Sequence, residues 1–118
     1  MDSPTEIRVT KDRRTMKVSF GGEPHEFPAE MLRVLSPSAE VQGHAPDQRK
    51  TVPGKRDVMI LSVEPVGNYA VKITFDDMHS TGIYTWAFFR ELAETKEARW
   101  QAYLGELEAK GLSRAPRR

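Results

Sequence analysis

Gly67-Asn68-Tyr69-Ala70-Val71-Lys72-Ile73-Thr74-Phe75 is the stretch on which the fold turns. Tyr69, Val71, Ile73 and Phe75 alternate with Ala70, Lys72 and Thr74, the two-residue period of a half-buried strand. Gly67-Asn68 suits a tight turn that needs positive φ. Upstream, Val58-Met59-Ile60-Leu61-Ser62-Val63 reads as the strand paired across that turn, and apolar groups on both of its faces predict a central position. Downstream, Asp77-Met78-His79-Ser80-Thr81-Gly82 makes a second turn, and Ile83-Tyr84-Thr85 completes a three-stranded meander.

Working outward, Ile7-Arg8-Val9-Thr10 and Met16-Lys17-Val18-Ser19-Phe20 alternate around the polar stretch Lys11-Asp12-Arg13-Arg14-Thr15, which predicts an N-terminal hairpin ended by Gly21-Gly22. Phe27 to Leu35 reads as a short helix with Pro28 in its first turn and Met31, Leu32 and Leu35 on one face. Ser36-Pro37 stops it, because a residue before proline avoids helical dihedrals. Beyond the meander, Thr85 is expected to cap a helix beginning at Trp86, with Phe88, Phe89 and Leu92 inward. Thr95 is expected to cap a second, with Trp100, Tyr103, Leu104 and Leu107 at amphipathic spacing and Gly111 as its stop. The expectation is α+β: a small antiparallel sheet made of the hairpin and the meander, a short helix after the hairpin, and two C-terminal helices. Residues 1–112 form one domain in this reading, and residues 113–118, with Arg114, Arg117 and Arg118, a flexible basic tail.

Bulk composition narrows the function classes. The chain has 118 residues, 38% hydrophobic and 30% charged, enough for one modest core. Eighteen basic against 17 acidic residues leave a net charge of +1, so no overall field draws in nucleic acid or an anionic membrane. No cysteine is present, which removes disulfides, thiolate catalysis and thiolate metal ligation together. Met1-Asp2-Ser3-Pro4-Thr5-Glu6 lacks the basic-then-apolar order of a signal peptide, and no apolar run approaches the roughly 20 residues of a membrane helix. A cytoplasmic location is the simplest expectation.

Residues 36–56 show neither strand nor helix period, and a loop of roughly 20 residues is uncommon in a small domain unless it has a function. Its basic residues Arg49, Lys50, Lys55 and Arg56 are diluted by Asp47 and Asp57 and lack interleaved aromatics for base stacking, so local ion pairs explain them best. No nucleophile elbow, phosphate loop or paired acid and base appears, so the chain is not expected to be an enzyme. His25, His44 and His79 are scattered. Asp77-Met78-His79 is the strongest local candidate for a weak iron or zinc site, with His44 as a third donor; an ordinary polar turn is the preferred account. Tyr84, Trp86, Phe88 and Phe89 form an aromatic cluster, at least two of them expected in the core.

Three stretches carry a family resemblance: Leu32-Arg33-Val34-Leu35-Ser36-Pro37-Ser38-Ala39-Glu40-Val41-Gln42-Gly43-His44; Gly54-Lys55-Arg56-Asp57-Val58; and Gly67-Asn68-Tyr69-Ala70 through Phe75-Asp76-Asp77-Met78-His79-Ser80-Thr81-Gly82-Ile83-Tyr84-Thr85-Trp86. Together, over about residues 5–95, they resemble the γ-butyrobetaine-hydroxylase-like N-terminal domain. That resemblance implies an accessory domain found ahead of carnitine-pathway oxygenases, beside P-loop iron–sulfur carrier ATPases, or free-standing; this chain resembles the free-standing form. In the hydroxylases of that family a structural zinc is held by three cysteines and a histidine. Carried across, the cysteine positions are Ser36, Ser38 and Val41, and the histidine is His79. No zinc, and no other cofactor, is therefore expected. The resulting expectation is a non-catalytic protein-interaction domain whose surface combines residues 36–56 with residues 77–82. His44, Arg56, His79 and Tyr84 are its candidate contacts. The resemblance implies an iron–sulfur carrier ATPase or a redox enzyme as partner.

Overall fold

The computed structural model describes residues 3–43 and 48–116. The elements run β1 (Glu6–Val9), β2 (Thr15–Phe20), β3 (Glu23–Pro28), α1 (Ala29–Val34), α2 (Ala39–Gln42), β4 (Ile60–Val66), β5 (Ala70–Phe75), β6 (Ile83–Thr85) and α3 (Trp86–Ala109). The strands form two antiparallel sheets of three, ordered β1-β2-β3 and β4-β5-β6. The chain is α+β, as its patterning predicts, but each half of the expected single sheet stands as a unit.

The N-terminal hairpin acquires a third strand. Gly21 and Gly22 have φ of 57° and 85° and form a tight turn rather than an end, so that Phe20 pairs with Glu23 and Thr15 with Pro28. Periodicity misses β3 because only Phe27 is buried along it and because Pro24 and Pro28 interrupt it. Proline is tolerated there because β3 is an edge strand. Pro28 consequently precedes α1 as its N-cap instead of opening the helix at Phe27.

The meander forms, with Gly67 at φ 53° in the first turn, but Tyr69 belongs to that turn, 51% exposed, and β5 begins at Ala70. The central strand, however, is β5; β4 is an edge and begins at Ile60. A register shift between Ile60 and Ser62 turns Leu61 outward, where it is 44% exposed, which explains apolar residues on both faces of this stretch. Arg13, in a left-handed conformation (φ 63°) at the β1–β2 turn, joins the sheets: its carbonyl accepts from the Ile60 amide, and its guanidinium donates to the Ile60 and Leu61 carbonyls at 3.2 and 3.0 Å.

The two expected C-terminal helices are one. Thr85 caps it, its hydroxyl accepting from the Phe88 amide at 3.0 Å. Thr95 does not cap; its hydroxyl donates to the Glu91 carbonyl within a continuous helix. The surrounding Glu, Ala, Lys and Arg residues are strong helix formers, so nothing at Thr95 breaks the ladder. Gly111 (φ 66°) ends α3, and the Leu112 amide reaches back to the Leu107 carbonyl. Phe89, Leu92, Tyr103 and Leu107 pack with Met16, Val18, Phe27, Leu32, Ile60, Ile73 and Phe75 into one core.

Candidate functional site

The three stretches that carry the family resemblance converge where the end of α1 meets the β5–β6 turn. α1 delivers Arg33 at its C-terminal turn, and Ser36 and Ser38 follow as the chain leaves the helix. The β5–β6 turn delivers Asp77, His79, Thr81 and Gly82. Gly82 is required by close approach: a Cβ there would lie 2.5 Å from Ser36 Oγ and 2.9 Å from Tyr84 Cε1.

His79 is 6% exposed and hydrogen-bonded on both ring nitrogens. Nε2 lies 2.9 Å from Ser36 Oγ and 3.4 Å from Ser38 Oγ, while Nδ1 lies 3.4 Å from Glu40 Oε2. Burial, reinforced by the Arg33 charge and opposed by Glu40 and Asp77, holds the imidazole below its ordinary pKa, so it is neutral at pH 7. A neutral ring donating from Nδ1 to Glu40 accepts at Nε2 from the Ser36 hydroxyl. Thr81 fixes the other Glu40 oxygen at 3.1 Å.

Asp77 does not join that ring. Its Oδ2 takes Arg33 Nε and Lys55 Nζ, each at 2.7 Å, and its Oδ1 accepts the His79 amide at 3.0 Å. Burial would raise the carboxyl, but the hydrogen bonds from Lys55, the His79 amide and Arg33 outweigh it and bring it to about 2. Arg33 Nη1 is buried without a hydrogen-bond partner among the described residues.

A structural zinc does not fit this donor set. Ser36 and Ser38 do converge on His79, as the resemblance implies, and Val41 is buried at 2% exposure. A tetrahedral zinc needs four nitrogen, sulfur or carboxylate donors, whereas these positions offer one imidazole, two neutral hydroxyls and an isopropyl group. Among the described residues no three His, Asp or Glu side chains cluster closely enough to hold a metal. His44, named as a metal and partner candidate, lies outside the described residues, as does Asp47.

Of the other candidates, Tyr84 is corrected to core: it is 0% exposed, its hydroxyl donates to the Leu32 carbonyl at 2.6 Å, and burial raises its pKa well above the ordinary range. Trp86 and Phe89 are buried with it. Arg56 is on the surface, its side chain 52% exposed beside Asp57. Two of the basic loop residues reach distant partners rather than the local pairs expected: Arg49 pairs with Glu106 of α3, and Lys55 with Asp77 of the β5–β6 turn. The loop itself is partly built, through α2 and a bond from the Lys50 amide to the Val41 carbonyl.

Sequence reading missed Met78. It sits at the tip of the turn, 74% exposed, with φ of 73°. The signal was present as a lone apolar residue between Asp77 and His79 in an otherwise polar turn. Beside it, a depression of about 170 Å³ is lined by Gly54, Lys55, Asp57, Asp76, Asp77 and Pro116, among others.

Two small sheets under a long C-terminal helix, with a buried Ser–His–Ser contact at the junction of α1 and the β5–β6 turn, define an α+β domain built around one core. The chain belongs to the gamma-butyrobetaine hydroxylase-like, N-terminal family, whose model matches residues 7–90. One NMR solution structure is similar over all of this chain and 94% of its own, at 44% identity and a TM-score of 0.84. A second covers 98% of this chain and 87% of its own, at 40% identity and 0.83. A 1.93 Å crystal structure of a DUF971-family protein of unknown function from Acidithiobacillus ferrooxidans covers 77% of this chain and 92% of its own, at 38% identity and 0.64. No curated protein matches the chain.

Proposed function

We propose that this chain is a non-catalytic protein-interaction domain of the cytoplasm, contacting its partner through the turn at residues 76–79 and the adjacent segment 54–57. The observation that carries this reading is Met78. Most of a large, unbranched apolar side chain stands in water, in a backbone conformation that costs a non-glycine residue about 1 kcal/mol. Neither feature helps the fold, and both suit an adaptable apolar anchor. The turn is stiff: Asp77 clamps it to Arg33 and Lys55, and His79 is locked beneath it. A pre-ordered loop loses little entropy on docking. Asp57 shares a depression with Asp76 and Asp77, next to Met78 in the chain, and Arg56 pairs with Asp57, so charged groups lie next to the turn.

The family context makes an iron–sulfur carrier ATPase or another redox protein the partner to test. The reading assigns no metal to His79 and no turnover to the chain. No described helix is long and apolar enough to cross a membrane.

The test is a titration of isotope-labelled chain with an iron–sulfur carrier ATPase from the same genome, followed by NMR. Shifts should centre on residues 54–57 and 76–79. Met78→Ala should weaken binding about tenfold, while Arg8→Ala, on the other sheet, should not. Shifts centred elsewhere, or wild-type affinity in Met78→Ala, would remove the proposed face.

A further inference from the structure

Residues 113–116 turn back across the body instead of trailing away as an expected flexible tail. The Gly54 amide donates to the Ser113 carbonyl at 2.9 Å and the Arg56 amide to the Arg114 carbonyl at 3.1 Å. Arg114 reaches into a groove of about 440 Å³ between β3, α1 and α3. Its Nε and Nη2 donate to Glu30 Oε2 and Oε1 at 2.8 and 2.6 Å, a two-pronged fork, and its guanidinium carbon stands 5.3 Å from the centre of the Trp100 ring.

Glu30 is 6% exposed, although it lies on the first turn of a short helix where water is close by. A buried carboxylate presented edge-on, with an aromatic face alongside, is the arrangement that distinguishes arginine from lysine: it uses both the planar fork and the stacking surface. The segment that fills it is held by two backbone hydrogen bonds, the Glu30 fork and the stacking of Arg114 on Trp100. Ser113, Ala115 and Pro116 are exposed, and none of residues 113–116 belongs to the apolar core. Such attachments open locally at far lower cost than a packed strand.

The same segment overlies the proposed contact face. The Gly54 and Arg56 amides are the ones it occupies, and Pro116 lines the depression beside Asp76 and Asp77. We propose that residues 113–116 are a displaceable in-chain ligand, and that the Glu30–Trp100 groove with the Gly54 and Arg56 amides receives an extended, arginine-bearing segment of the partner in their place. This rests on the reading of residues 54–57 as contact face, and it names the chemistry of what docks there. The in-chain segment then sets a threshold: only a partner whose arginine and backbone outcompete Arg114 is retained.

The experiment uses the full chain carrying Arg114→Ala, titrated calorimetrically with an acetylated, amidated Leu-Ser-Arg-Ala-Pro peptide and with its lysine counterpart. The arginine peptide should bind saturably, about tenfold tighter than the lysine peptide and about tenfold tighter than it binds wild-type chain, whose groove is filled. Adding Glu30→Gln should abolish the difference between peptides. Folded Arg114→Ala that takes up neither peptide, or both alike, overturns the proposal. Wild-type chain gives an independent reading by amide hydrogen exchange. The Gly54 and Arg56 amides should exchange at least about 100-fold faster than that of Ile73; equal rates would mean that the segment leaves only on global unfolding, and the idea fails. Neither measurement involves the ATPase, so failure here leaves the Met78 titration standing, and the two failures are told apart.

Discussion

Removing the guanidinium of Arg114 should destabilise the chain far more than loss of an ordinary surface charge. Arg114→Ala leaves Glu30, 6% exposed, with neither of its two guanidinium donors. Breaking a fully buried ion pair from one side costs about 3–5 kcal/mol. Here the Arg114 side chain is 40% exposed, so water enters the vacated space and solvates part of the carboxylate. A cost of about 2 kcal/mol follows, near that of a charged hydrogen-bonded pair. For a chain of 118 residues that lowers the melting temperature by about 8 °C. The assay is a double-mutant cycle by urea unfolding, with Arg114→Ala, Glu30→Met and the pair. Glu30→Met alone strands only a half-exposed cation and should cost less. The double variant should recover much of the loss, with a coupling energy of about 1–2 kcal/mol. A coupling below about 0.5 kcal/mol, the range of exposed pairs, would refute the claim that Glu30 depends on Arg114.

The remaining predictions concern the His79 cluster. Asp77 has a folded-state pKa lowered from 3.8 to about 2, so its contribution is present above pH 4 and is lost as pH falls toward 2. That contribution is about 2 kcal/mol, and Asp77→Asn should flatten acid unfolding across this window. His79 also has a lowered folded-state pKa; its contribution is present above 6.5 and falls away in acid, so His79→Gln should reduce the pH dependence below pH 6.5. Gly82→Ala should cost about 1–3 kcal/mol by overpacking. Because Ser36 Oγ is the nearest obstacle at 2.5 Å, combining it with Ser36→Ala should cost less than the sum. Purified wild-type chain should carry no stoichiometric zinc by elemental analysis. Ser36→Cys/Ser38→Cys/Val41→Cys should acquire it, because Ser36 and Ser38 already stand 2.9 and 3.4 Å from His79 Nε2, close to the roughly 3.5 Å between ligand atoms on one zinc.

Local chemistry made the meander legible. Gly67-Asn68 and the alternation from Tyr69 to Phe75 specify a hairpin without help from distant residues, and Thr85 and Gly111 mark the ends of α3 by their own hydrogen bonds. β3 was hidden because an edge strand needs only one buried residue, Phe27, and tolerates the prolines that argue against a strand. The division of α3 at Thr95 came from treating a threonine as a cap when its hydroxyl is satisfied one turn back.

The site divides in the same way. Ser36 and His79 are 43 residues apart, and no period links them; only the family resemblance placed them together. Glu30 and Arg114, 84 residues apart, had no such aid, and a lone arginine near a proline reads as a tail. Tyr84 was legible as aromatic core but not as wholly inaccessible, because burial depends on α1 covering it through the Leu32 carbonyl.

Met78→Gly tests the interaction-domain reading most directly, because it separates what the fold wants from what the surface does. Glycine accepts φ of 73° without strain, so the variant should melt a few degrees higher, a gain of about 0.5–1 kcal/mol. Its affinity for the iron–sulfur carrier ATPase, measured by calorimetry, should fall about tenfold or more. A chain that becomes more stable and binds as tightly as before would contradict the account, since Met78 would then be neither fold nor function.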